Sequence, residues 1–169
     1  MNKFVFILLF SLFSIGAFSQ NKTIIDARTH KKILNGSLNT DAFKMDICRE
    51  WYAPEHQSYK IKSRVLRQLK QQKFDDIKIQ LVLGSWCHDS HVQVPRFIKI
   101  LEAISFPSEQ LEMNALDTYK HSSDFDAKAN GVTRVPTIII YKKGEELGRI
   151  VEHPNKSLEK DLLRILSHK

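Results

Sequence analysis

The chain has 169 residues, 42% hydrophobic and 27% charged, with a formal net charge of +7. That length suits one domain with a proper core, and the composition excludes wholesale disorder. Beyond residue 19 the basic residues run from Lys22 to Lys169 with carboxylates among them, and the densest run, RQLKQQK from Arg67 to Lys73, has the spacing of a solvated helix face. No nucleic-acid partner is therefore expected.

In chain order, MNKFVFILLFSLFSIGAFSQ opens with Lys3 and an apolar run from Phe4 to Phe18, followed by Ala17-Phe18-Ser19 ahead of Gln20. Small residues at both ends of that triplet fit a signal-peptidase site, and the run is short for a membrane span of about 20 residues. Residues 1–19 read as a signal peptide, the alternative being an uncleaved anchor. The expected product is periplasmic or extracellular, with no stable membrane insertion after cleavage, in a compartment where disulfides persist. Cys48 and Cys87 are its only cysteines. They are too few for a disulfide framework, which leaves one bridge or chemistry.

Residues 20–75 read as a helical N-terminal extension. Phe43, Ile47 and Trp51 recur at four-residue steps, as do Ile61, Val65 and Leu69, with Asn35-Gly36 and Ala53-Pro54 as punctuation. From Asp76 the period changes. Ile77, Ile79, Leu81 and Leu83 alternate as in a strand ending at Gly84, and Val94, Phe97, Ile98 and Leu101 mark one face of a helix from about Asp89 to Ile104. LEMNALD (Leu111 to Asp117) predicts a strand, and SSDFDAKAN (Ser122 to Asn130) a short polar helix closed by Gly131. VPTIIIY and LGRIVE flank a turn at Lys142-Lys143-Gly144-Glu145, and Leu158, Leu162, Ile165 and Leu166 stripe a last helix capped by Ser157. Residues 76–169 thus form an α/β unit whose first two strands demand a right-handed parallel crossover, giving a mixed sheet with helices on both faces.

Gly84-Ser85-Trp86-Cys87 sits where a strand hands over to a helix, the usual place for chemistry in open α/β sheets. Free backbone N–H groups and the positive end of the helix dipole favour a thiolate at such a position. Ser90, three residues on, shares a helix face with Cys87, so its hydroxyl is placed to donate to the sulfur. His88 and Asp89 argue for an exposed loop rather than a buried inert cysteine.

Trp86-Cys87-His88-Asp89-Ser90 resembles the Trp-Cys-x-x-Cys motif of the thioredoxin family, with Ser90 in place of the resolving cysteine. Pro95 matches the proline of that family's active-site helix. Gly131-Val132-Thr133-Arg134-Val135-Pro136-Thr137 resembles the segment around its cis-proline, and the Lys142–Glu145 turn the one that follows. The pattern W-C-x-D-S followed by V-P-R-F (Val94 to Phe97) is similar to an exported bacterial single-cysteine subgroup. The likeness runs from about Lys78 to the C-terminus. Leu81, where many members bury an acid, and the long N-terminal extension depart from the family pattern.

The resemblance implies a thioredoxin-like fold with Pro136 cis and facing Cys87. It implies backbone contacts to substrate from Val135 and Thr137, an anion-holding or thiolate-stabilising Arg134, and a proton carrier at Glu152. His88 and Ser90 would tune Cys87, and Trp86 and Pro136 would shape the docking surface. The implied activity is thiol-disulfide exchange with protein or small-molecule thiols and disulfides, without a cofactor.

Lacking a second thiol at position 90, a mixed disulfide on Cys87 awaits an external thiol, or Cys48 acting as resolver. A third possibility is a non-catalytic module that keeps the fold to grip an extended segment. Cys48 itself, flanked by Met45 and Tyr52, reads best as a packed core residue. A metal carrier built on Cys87 and His91, four apart, with His88, His121 or His153 as a third ligand, is a weaker alternative. In a chain with seven histidines such spacings arise by chance, and no metal site is assigned.

Overall fold

The computed structural model describes residues 20–167, and the expected signal segment, 1–19, lies outside them. The first surprise is in the N-terminal segment. It opens not on helices but on three short strands, β1 (Thr23–Ile25), β2 (Lys32–Leu34) and β3 (Gly36–Leu38), before a 3-10 turn at Thr40–Lys44. Three-residue strands are too short to carry an alternation, whereas the helical period downstream extends over several turns. Helices α1 (Asp46–Ser58) and α2 (Ser63–Leu69) then follow. Helix α1 runs through Pro54 instead of breaking there. Beyond the proline it is tied to the rest of the fold by Arg96, which pairs with Glu55, and by Lys99, which donates to the Gln57 carbonyl at 2.9 Å.

Next come β4 (Ile77–Leu83), α3 (His88–Ala103), β5 (Leu111–Ala115), β6 (Thr137–Lys142), β7 (Glu145–Val151) and α4 (Leu158–Ser167). The main sheet has the order β3-β5-β4-β6-β7. β4 and β5 are parallel, joined through α3, whereas β6 pairs antiparallel with both β4 and β7. β3 adds an antiparallel edge beside β5, so the N-terminal segment is continuous with the central sheet. Lys143 and Gly144, with φ of 53° and 86°, form the two-residue turn of the β6–β7 hairpin, whose twist needs left-handed residues at both positions.

All four helices contribute to one core, against Ile79, Leu81, Leu83, Ile138, Ile140 and Ile150. Burial of each such side chain contributes on the order of 1.5–3 kcal/mol. The opposite face carries Val82 and Ile139 under Leu116, Ala127, Val132 and Val135, which belong to loop chain. Helices therefore flank the sheet on one side, not both. Residues 122–130, expected as a polar helix, form bends and turns. Asp126 accepts from Ala129 N–H at 2.9 Å and its carbonyl from Asn130 Nδ2 at 2.8 Å, while Asp124 reaches across to Ser37 N–H at 3.1 Å. Side chains that satisfy the local backbone in this way compete with a helix.

Candidate active site

Strand β4 ends at Leu83, and Gly84 to Cys87 turn the chain into α3. Cys87 is the residue that caps α3, with extended backbone angles and no side-chain capping bond. Its N–H donates to Gly84 O at 2.9 Å and its carbonyl accepts from His91 N–H at 3.1 Å. The thiol is partly exposed, and Sγ lies 3.2 Å from the Val135 carbonyl oxygen, to which it donates. The Val135–Pro136 peptide bond is cis. Strand end, helix start and the residue before Pro136 thus converge on one sulfur.

Trp86 lies half-buried beside it. Its indole N–H donates to Leu116 O at 2.9 Å, and the Lys120 ammonium sits 4.6 Å above its ring. Gly84 makes room for that ring, since a Cβ there would fall 2.8 Å from the indole. His88 is exposed. Ser90 is 0% exposed and its Oγ accepts from Gly84 N–H at 3.2 Å. Among the described residues no hydrogen bond joins Ser90 to Cys87, so the hydroxyl braces the loop from beneath instead of meeting the sulfur.

The segment around Pro136 departs from the expected substrate edge in one respect. Thr137 is buried and lies between Val82 of β4 and Val151 of β7, so its backbone is enclosed in the sheet. Its hydroxyl donates to Arg134 O at 2.7 Å. The Val135 N–H has no partner among the described residues, whereas the Pro136 carbonyl accepts from Glu152 N–H at 2.8 Å. Arg134 and Glu152 pair at 2.6 Å, and no hydrogen bond links the Glu152 carboxylate to Cys87.

The spacing of His91 from Cys87 suits a metal ligand. Its ring instead stacks on Trp51, centroids 4.5 Å apart, with Nε2 2.7 Å from Ser85 O. No group of three or more ligating side chains is close enough to hold a metal ion among the described residues. Cys48 is free and fully buried in α1, and burial pushes its thiol up to about 12.

Two residues of the loop's support escaped sequence reading. Ser85 accepts from Leu34 N–H through Oγ at 2.9 Å, which fastens β2 to the loop. Asp26, buried, accepts from Thr29 N–H and from Thr118 N–H at 2.7 and 3.1 Å, which fastens the β1–β2 hairpin to the chain after β5. Burial opposes ionisation of this carboxyl, but the hydrogen bonds from Thr118 and Thr29 outweigh it and hold it well below the usual carboxylate range. A lone aspartate in a hairpin loop gives no sequence signal for such a role.

No protein-family model and no curated protein matches the sequence. Similar solved structures include a protein of unknown function from Pseudomonas aeruginosa, 15% identical with TM-score 0.56, the match covering 78% of this chain and 92% of that one. An HIV epitope scaffold is also 15% identical, with TM-score 0.52 and coverage of 78% and 82%. Mitochondrial thioredoxin 3 from Saccharomyces cerevisiae is 24% identical over 63% of this chain and 94% of its own, with TM-score 0.37. Likeness at these identities speaks to fold alone. With a parallel β4–β5 pair linked through α3, an antiparallel β6–β7 hairpin and a cysteine at the head of α3, the fold is thioredoxin-like.

Proposed function

We propose that the protein is an exported, monothiol thiol-disulfide oxidoreductase or isomerase that acts through Cys87. The observation that carries this reading is the partly exposed Cys87 Sγ at the head of α3, 3.2 Å from the carbonyl of the residue before Pro136. Cys87 is the N-cap of α3, and its sulfur stands partly exposed at the end of the helix where a substrate sulfur can reach it.

In the reaction, the Cys87 thiolate attacks one sulfur of a substrate disulfide. A Cys87–substrate S–S bond forms, the substrate S–S bond breaks, and the departing thiolate takes a proton from solvent. Ser90 has no sulfur to clear the adduct, and Cys48 is buried with its thiol held protonated. An external thiol therefore completes the exchange: it attacks the substrate sulfur, leaves as a disulfide with it, and returns Cys87 to the thiolate. Among the described residues the N–H groups of Arg134 and Val135 have no hydrogen-bond partner, which leaves them available to an extended substrate.

Trapping tests the reading. Tagged protein is expressed in its own host, quenched with acid, and resolved without reductant. Disulfide-linked species that vanish in Cys87→Ser support exchange through this sulfur. Partner capture that persists unchanged in Cys87→Ser supports a non-catalytic binding module instead.

A further inference from the structure

The β1–β2 hairpin is a sheet of its own, and β1 has no strand on its outer side. Across the hairpin, Asp26 N–H donates to Lys31 O and Asn35 N–H to Lys22 O, so the pairs that exchange bonds within it are Lys22–Asn35, Ile24–Ile33 and Asp26–Lys31. In an antiparallel ladder the alternate residues point their polar groups the other way. On β2 one such outward group is the Leu34 N–H, which reaches Ser85 Oγ at 2.9 Å. On β1 the outward groups are the N–H and C=O of Thr23 and Ile25, and none of the four has a partner among the described residues.

The same place is apolar. Ile24, Ile25 and Tyr119, at 37%, 64% and 57% exposed, are the large hydrophobic side chains left in solvent among the described residues. One clasp holds them near each other: Ile25 precedes Asp26, whose carboxylate accepts from Thr118 N–H at 3.1 Å, and Thr118 precedes Tyr119. The ammonium of the next residue, Lys120, lies over the ring of Trp86, the neighbour of Cys87. An unpaired strand edge and clustered exposed apolar side chains are both features of a surface that takes up another chain. Its charge is one-sided. Residues 20–36 carry Lys22, Arg28, Lys31 and Lys32, all exposed, against one carboxylate, Asp26, which is buried. Lys22 acts on Asp124, but Arg28, Lys31 and Lys32 stand in no ion pair among the described residues.

We propose that the β1 edge docks an extended, acidic segment of a substrate protein, which adds a strand beside Thr23 and Ile25, lays apolar side chains against Ile24, Ile25 and Tyr119, and carries its disulfide to Cys87. This rests on the exchange reading of Cys87 and names its substrate class, a protein segment in place of a small disulfide. Main-chain bonds supply capture that tolerates sequence, and the cations of the hairpin select for carboxylates. With strands about 4.8 Å apart, the docked segment lies roughly 10 Å from β2, which is itself fastened to Ser85. An extended chain covers about 3.3 Å per residue, so a cysteine several residues beyond the docked stretch reaches Cys87.

Fluorescence anisotropy with a labelled ten-residue peptide of alternating valine and glutamate tests the docking on the purified protein and on Cys87→Ser. Saturable binding to both is expected, at least tenfold tighter than for the same peptide with lysine in place of glutamate, or for the fully N-methylated peptide, which has no N–H to offer. Ile25→Pro removes an outward N–H that the hairpin does not use, a position where edge strands tolerate proline, and is expected to weaken binding at least tenfold. The docking is overturned if the valine–glutamate peptide does not bind saturably, if the lysine or the N-methylated peptide binds as tightly, or if Ile25→Pro binds as the parent does. A dimer that Ile25→Pro dissociates, with no peptide binding, would assign the edge to a second copy of this chain instead.

Delivery to Cys87 is read separately, with the same peptide extended by a cysteine joined to 2-nitro-5-thiobenzoate. The Cys87 thiolate attacks the peptide sulfur, a Cys87–peptide S–S bond forms, and coloured thionitrobenzoate leaves. Its release is expected to be at least tenfold faster than from cysteine alone joined to the same group, and Ile25→Pro is expected to lose that advantage while keeping the slower rate. Equal rates from the two disulfides would overturn delivery to Cys87. Release from neither, with the peptide still bound, would overturn the exchange reading while the anisotropy result stands.

Discussion

The His91 ring lies flat on the Trp51 indole, centroids 4.5 Å apart and planes within 13°, and the same imidazole reaches Ser85 O at 2.7 Å. One side chain thereby connects α1, from the N-terminal segment, to the loop that carries Cys87. Such an aromatic pair contributes roughly 0.5–1.5 kcal/mol beyond the area it buries. A double-mutant cycle of Trp51→Leu and His91→Ala, followed by urea unfolding, is expected to return a coupling in that range. Additive single effects would show that the stack does not brace the loop.

The two thiols should separate cleanly under iodoacetamide. Cys87 is partly exposed, while Cys48 is fully buried and its thiol is pushed up to about 12 by burial. Intact-mass measurement at neutral pH is expected to find one adduct, at Cys87, and a second only in denaturant. Labelling of Cys48 in the native state would count against its place in the core.

Ser90 allows two opposite substitutions. Ser90→Ala leaves the Gly84 N–H buried without its acceptor, at a cost of about 1–3 kcal/mol in urea-determined stability. Ser90→Cys supplies a thiol one helical turn from Cys87, within the reach a disulfide requires. Under oxidised glutathione, that variant is expected to lose its Cys87 adduct to an 87–90 bond, whereas the parent chain keeps the adduct. A lasting glutathione adduct on Ser90→Cys would mean that the loop does not let the two sulfurs meet.

Asp26 predicts an acid limb to stability. Its carboxyl is held below the usual range in the folded chain, so its contribution is complete above the unfolded value of about 3.9 and is lost as pH falls through the folded value. Asp26→Asn turns an amide NH2 toward groups that are themselves donors. The variant is expected to melt lower than the parent at pH 7, with the gap closing as pH falls from about 5 toward 2. A constant gap across that window would remove ionised Asp26 as the cause.

Local pattern was enough for strands β4 to β7, for α3 and α4, and for the position of Cys87 between a strand and a helix. Each rests on an alternation or stripe several residues long, or on a turn glycine with a steric requirement, and these signals survive without knowledge of neighbours. Trp86 and Cys87 pack with Val135, the residue before Pro136. Ser90 does not play the part its spacing suggested, because its hydroxyl is drawn under the loop by the Gly84 N–H.

What the tertiary structure alone decided is who supports and who surrounds the site. β1 to β3 are three residues each, and their pairing energy comes from β5 and from one another, partners distant in sequence. The clasp of Ser85 by Leu34, the stack of His91 on Trp51 and the closure of Asp26 over Thr118 span 51, 40 and 92 positions. Nothing local marks such contacts, since each residue is ordinary where it stands. The same holds for the sheet face without helices: residues 122–130 carry helix-compatible polarity, and their side-chain bonds to the local backbone and to Ser37 hold them unwound. Period along the chain sets which elements form, because it reports each residue's own burial; pairing across the chain sets the site, because it depends on which buried groups find partners.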